Sequence, residues 1–141
     1  MLLLLDYNTY MSTVADQNGT VHIALIEDDV AISTMYTKAF ERQAGYKVRV
    51  AGDGIEGLEL LKTYHPDIIL LDMMMPRMSG LEALERIRAM PNGNKYKIIT
   101  LTNMNDPETV AAIKQYNVLD HIVKATTTPG EIVKTIQAAV K

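Results

Sequence analysis

The chain has 141 residues, enough for one domain and too few for two of ordinary size. Apolar residues make up 48% of it, so a sizeable core is within reach; the net charge is −3 and the basic residues are scattered, which leaves no cationic face for nucleic acid or an anionic membrane. There is no cysteine, which excludes disulfides and thiolate metal sites and fits a reducing cytoplasm.

The apolar start, Leu2 to Leu5, stops at Asp6, far short of the roughly 20 residues that a spanning helix needs. It also lacks the basic segment and long apolar stretch of a secretory signal. Residues 1–20 therefore predict a polar, flexible extension, with Met11 as an alternative start, and residues 21–141 predict one folded domain. Strand-length β-branched or aliphatic runs follow at 22–27, 47–51, 67–72, 97–102 and 121–124.

Helical spacing of apolar residues fills the intervals. The helix over 29–43 takes Val30, Met35, Ala39 and Phe40 as its apolar positions, and that over 54–64 takes Ile55, Leu58, Leu61 and Tyr64. Residues 80–90 carry Leu81, Leu84, Ile87 and Met90, residues 107–116 carry Val110, Ile113 and Tyr116, and residues 129–140 carry Ile132, Ile136 and Val140. Asp106-Pro107-Glu108 reads as a cap, a first-turn proline and an acid, and Thr128-Pro129-Gly130-Glu131 as a capping box. Five strands alternating with five helices, the third and fourth strands apolar nearly throughout, predict a doubly wound α/β fold with a parallel sheet. Such sheets place their sites at the carboxyl ends of the strands.

Those ends carry Glu27-Asp28-Asp29 on the first strand, Asp72 on the third, Thr100-Leu101-Thr102 on the fourth and Lys124 on the fifth. Carboxylates brought together favour protonation unless a cation sits among them, and a hard ion such as Mg²⁺ suits a few protein oxygens. A carboxylate beside Mg²⁺ is a nucleophile for phosphoryl transfer, with Lys124 neutralising the moving charge and Thr102 holding the product.

Residues 22–140 resemble a bacterial response-regulator receiver domain. The segment Asp67-Ile-Ile-Leu-Leu-Asp72-Met-Met-Met-Pro76-Arg-Met-Ser-Gly80 is similar to that family's phosphoacceptor strand and loop, and the acid pair, threonine and lysine fall in family order. The resemblance implies a five-stranded flavodoxin-like sheet in the order 2-1-3-4-5. It implies Asp72 as phosphoacceptor, Asp28 and Glu27 as Mg²⁺ ligands with the Met73 backbone carbonyl, and Thr102 and Lys124 as switch hydroxyl and phosphate-binding ammonium. It further implies a signalling protein rather than an enzyme, working in the cytoplasm. The donor would be a sensor histidine kinase or histidine phosphotransfer protein. The readout face would be the fourth helix, fifth strand and fifth helix, which would also suit a homodimer. No nucleic acid or membrane partner is expected, and a last helix ending at Lys141 is expected to leave no room for an output domain, unless the chain is a fragment of a longer one.

Bland readings stand beside these. Asp29 is expected to cap the first helix, Met73 to Met75 to pack a loop, and His22 and His65 to be structural. Three departures from the family are expected to matter. Ala125 replaces the proline that usually follows the lysine, leaving the Lys124–Ala125 bond cis or trans. His121 replaces the usual tyrosine or phenylalanine and is expected to couple to Thr102. Met74, Asn103 and Met104 leave no polar side chain to orient water, so slow loss of phosphate is expected. A haloacid-dehalogenase-type phosphatase would need an aspartate where Met74 stands. A flavodoxin-like cofactor binder would need a Ser/Thr/Gly loop where Glu27-Asp28-Asp29 stands. A receiver-like docking module independent of phosphorylation is the remaining rival.

Overall fold

The computed structural model describes residues 19–43, 45–103 and 107–140. Ten principal elements alternate along the chain: β1 (Val21–Ile26), α1 (Val30–Glu41), β2 (Tyr46–Ala51), α2 (Gly54–Leu61), β3 (Ile68–Asp72), α3 (Gly80–Ala89), β4 (Ile98–Thr102), α4 (Pro107–Lys114), β5 (Asp120–Val123) and α5 (Pro129–Ala139). Short 3₁₀ turns occupy Gly93–Lys95 and Lys124–Thr126. The strands form one parallel sheet in the order β2-β1-β3-β4-β5. Element bounds lie within three residues of the sequence reading, the largest difference being the end of α2, read at 64 and found at Leu61. The extension over 1–18 and the Asp106 cap lie outside the described residues.

Strand alternation sorts the core into two layers. Ala24, Ile26, Ile69, Leu71 and Ile98 face α2, α3 and α4, where Leu61, Leu84, Ile87 and Ile113 meet them. Ile23, Leu25, Ile68, Leu70, Ile99 and Leu101 face α1 and α5, where Tyr36, Phe40, Ile132 and Ile136 meet them. Every residue of β3 and β4 is buried, as strands covered on both faces require.

Two helices bury most of the face that apolar spacing suggested, Ala39 and Phe40 on α1 and Leu58 and Leu61 on α2 with Tyr64 just beyond it, but leave its remaining members exposed. On α1, Val30 is 76% and Met35 45% exposed, while Ser33, Tyr36 and Phe40 are buried. Ser33 tolerates burial because its hydroxyl donates to the Val30 carbonyl at 3.2 Å. On α2, Ile55 is exposed and Gly54, Gly57 and Leu61 face the sheet. A Cβ on Gly57 would come within 2.6 Å of Ile26 Cδ1, so glycine is what lets this short helix approach the sheet.

Helix starts gather where the strands end. Asp29, Asp53, Ser79 and Thr128 cap α1, α2, α3 and α5 by accepting the amides of Ile32, Glu56, Glu82 and Glu131. Far from that rim, Arg88 donates to the carbonyls of Gly93, Tyr96, Tyr116 and Asn117, fastening the end of α3 to the end of α4.

Candidate functional site

β1 and β3 lie side by side, with Ile26 opposite Leu71, so Glu27 and Asp72 emerge together at the carboxyl edge of the sheet. One carboxylate oxygen from each of Glu27, Asp28 and Asp72 falls within a mutual spacing of 4.8 Å. Glu27 and Asp72 are buried and Asp28 is exposed, which leaves one side of the cluster open. Lys124 closes the other side, its Nζ lying 3.3 Å from both Glu27 Oε1 and Asp72 Oδ1. The described residues contain no cis peptide bond, so Lys124–Ala125 is trans, and the lysine reaches both acids from that backbone.

The electrostatics follow from this crowding. Burial, then the neighbouring Asp72 carboxylate, pushes the Glu27 carboxyl up to about 8, with Lys124 opposing. Asp28, although exposed, is also raised, by partial desolvation at the cluster and by the Asp72 carboxylate beside it. Burial alone would lower the Lys124 ammonium, but the Asp72 and Glu27 carboxylates more than offset it and raise it. Glu27 Oε2 is buried with no hydrogen-bond partner among the described residues. An orphaned carboxylate oxygen on a residue grouped with two other acids fits a hard divalent cation, which would favour the ionised forms together.

The loop after β3 is held tightly. Met74 N–H donates to Asp72 Oδ1 at 3.2 Å, and Gly80 N–H donates to the Met73 carbonyl at 3.1 Å. That carbonyl, expected to face a metal, is thus turned towards the start of α3. A Cβ on Gly80 would lie 2.4 Å from both the Asp72 carbonyl oxygen and Met73 Cα, so a glycine is demanded there by close backbone approach. Arg77, at φ 65°, pairs with Asp53 and links the loop to the cap of α2.

Thr102 is buried at the end of β4, one residue beyond Leu101, which pairs with Asp72. His121 lies on β5, as the sequence reading placed it. The register sets it opposite Thr100 and sets Val123 opposite Thr102, and its Nδ1 lies 2.7 Å from Thr100 Oγ1. The described histidine–hydroxyl contact therefore lies one pleat before Thr102. Asn103 is exposed, and Met104 lies outside the described residues. Asp29 caps α1, as its position suggested.

Sequence reasoning missed Tyr36, whose hydroxyl is raised chiefly by burial and also feels Lys124, Glu27 and Asp72. It missed the Arg77–Asp53 pair as well. Neither has a local signature, because each partner arrives from a different strand end.

An open parallel sheet in the order β2-β1-β3-β4-β5 with helices on both faces is the flavodoxin-like fold. The sequence model of the response regulator receiver domain matches residues 23–137, and the chain belongs to that family. A probable C4-dicarboxylate response regulator, DctR of Priestia megaterium, is 39% identical over 103 residues, which are 72% of this chain and 44% of that protein. The transcriptional regulatory protein AfsQ1 of Streptomyces coelicolor is 39% identical over 102 residues, with coverage of 72% and 44%. The chain thus spans less than half the length of these relatives. Among solved structures, chemotaxis protein CheY4 of Vibrio cholerae superposes with a TM-score of 0.78 at 28% identity, covering 85% of this chain and 98% of that one. A CheY-like receiver domain protein from Methanospirillum hungatei gives 0.78 at 25% identity, covering 86% and 94%. This is a response regulator receiver domain of the two-component systems, and no helix among the described residues is long and apolar enough to cross a membrane.

Proposed function

We propose that Asp72 accepts a phosphoryl group from a phosphohistidine on a sensor histidine kinase or histidine phosphotransfer protein in the cytoplasm. The observation that carries this reading is the grouping of Asp72 with Glu27 and Asp28 within 4.8 Å, with Lys124 3.3 Å away on the far side. One Asp72 oxygen attacks phosphorus, the phosphorus–nitrogen bond breaks, and the electron pair leaves with the imidazole to give an aspartyl phosphate. Glu27, Asp28 and Asp72 would hold a Mg²⁺ ion, with the Met73 carbonyl, which also accepts from Gly80 N–H, as a further candidate ligand. When bound, that ion supplies charge neutralisation for the transferring oxygens.

The chain's own groups do the rest. Burial excludes water from Asp72, the Met74 amide fixes its carboxylate, and the Lys124 ammonium offsets phosphoryl charge. Thr102 hydrogen-bonds the phosphoryl group, drawing the end of β4 inward. The α4–β5–α5 surface then shifts between two pre-existing arrangements to control a protein partner or a second copy. Met74, 57% exposed beside the site, offers no polar group to orient water, so the phosphorylated state is long-lived.

Amide NMR in Mg²⁺ with beryllofluoride, a phosphoryl mimic, tests the reading. Mg²⁺ alone should shift the amides near Glu27, Asp28 and Asp72, and beryllofluoride should add shifts at Thr102, at Lys124 and along β5. Shifts confined to exposed acids elsewhere would overturn it.

A further inference from the structure

We propose that the outer edge of β2 receives an extended segment of a partner protein in which acidic and apolar residues alternate, added as a sixth strand. β2 ends the sheet, so half of its backbone donors and acceptors face away from β1. A cleft of about 450 Å³ runs along this edge and is lined by the consecutive residues Tyr46, Lys47, Val48 and Arg49, with His22, Glu41 and Tyr64. A compact ligand pocket draws on scattered positions. Four successive residues of an edge strand instead describe a groove shaped for another extended chain.

The two sides of that edge differ in chemistry. Lys47 and Arg49 pair with His22 and Ala24, so all four project on the α2 side of the sheet. Tyr46 and Val48 project on the α1 side, where they pack on the core that includes Phe40, and Val50 shares that side and is 45% exposed. Arg49 is held in place, its guanidinium 5.0 Å above the Tyr64 ring, whose hydroxyl donates to the Ile23 carbonyl at 3.4 Å. No carboxylate among the described residues lies within 4 Å of Lys47 or Arg49. An added strand with acids on one face and apolar residues on the other meets both requirements, since directly opposed opposite charges stabilise a strand pair. Glu41, on the apolar side, disfavours the flipped register in which acids would face α1.

Charged residues also guard sheet edges against aggregation. Here the guard is selective: two copies of β2 brought edge to edge would set Lys47 and Arg49 against their like, whereas an acidic strand is attracted.

The test uses the full chain, ¹⁵N-labelled, titrated with a capped peptide of alternating glutamate and valine and with one of alternating lysine and valine. The acidic peptide should perturb the Tyr46–Ala51 amides and bind about tenfold or more tightly than the basic one. A Lys47→Glu, Arg49→Glu variant, both positions being exposed, should keep its spectrum elsewhere and reverse the preference. Equal binding of the two peptides, or shifts located away from β2, would overturn the proposal. So would self-association of the unliganded protein through the same amides, which would make a second copy the occupant.

Discussion

Without a divalent ion, the protein should lose stability as pH rises from about 5 to about 8, and Glu27 is the cause. Its carboxyl sits at about 8 in the fold against 4.5 ordinarily, through burial first and the Asp72 carboxylate second. Between those values the folded chain binds more protons than the unfolded one, so stability falls with rising pH across that window. The penalty is absent below the unfolded value and complete above the folded one. At about 1.4 kcal/mol per unit, the loss between about pH 5 and 8 is about 3–4 kcal/mol, a large part of the roughly 5–15 kcal/mol that holds a domain together. Asp28, also raised, adds in the same direction but is exposed and screened. Lys124 is raised above its ordinary 10.5, so its stabilising charge is lost only above this window. Urea unfolding followed by circular dichroism in a chelator should show the decline, and Glu27→Gln should remove most of it. Millimolar Mg²⁺ should restore stability chiefly at the alkaline end, since it binds the ionised cluster. A flat or rising profile in the chelator, or an unchanged slope in Glu27→Gln, would refute the reasoning.

Three further outcomes follow from named positions. Gly80→Ala places a Cβ 2.4 Å from two backbone atoms and should cost roughly 3 kcal/mol in chemical unfolding, whereas Gly57→Ala meets only the Ile26 side chain and should cost less. Thr100→Val removes a hydroxyl 2.7 Å from His121 Nδ1, so the His121 ring signals followed by NMR should shift, and unchanged signals would contradict the contact. Met74→Asn combined with Met104→Glu should hasten loss of phosphate several-fold when followed by phosphate release, because polar groups then orient water; an unchanged rate contradicts the slow-release reading.

Much of the fold was legible because its signals are local. Short, largely aliphatic and β-branched runs at 67–72 and 97–102 mark strands buried on both faces, and the Thr128 cap with Glu131 marks a helix start. The site was legible because the topology sends successive strand ends to one rim, so Glu27, Asp28, Asp72 and Lys124 converge there. What failed to show was set by contacts between distant segments. Apolar residues lie on more than one face of α1, so spacing alone left Val30 and Met35 competing with Tyr36 for the inner face, and packing against α5 and β2 decided it. The register of β5 against β4, which gives His121 to Thr100, depends on pairing across about twenty residues and leaves no mark in either strand. The turning of the Met73 carbonyl to Gly80 follows from loop closure, which the motif alone does not display.

The central claim is that Asp72 takes up a phosphoryl group with help from a divalent ion held by its acidic neighbours. Intact-mass spectrometry after incubation with acetyl phosphate, with and without Mg²⁺ and beside Asp72→Asn, tests it most directly. The account predicts a gain of one phosphoryl group that needs both Mg²⁺ and Asp72. A gain that persists in Asp72→Asn, or no gain in Mg²⁺ from a protein that also fails to bind beryllofluoride, would contradict it.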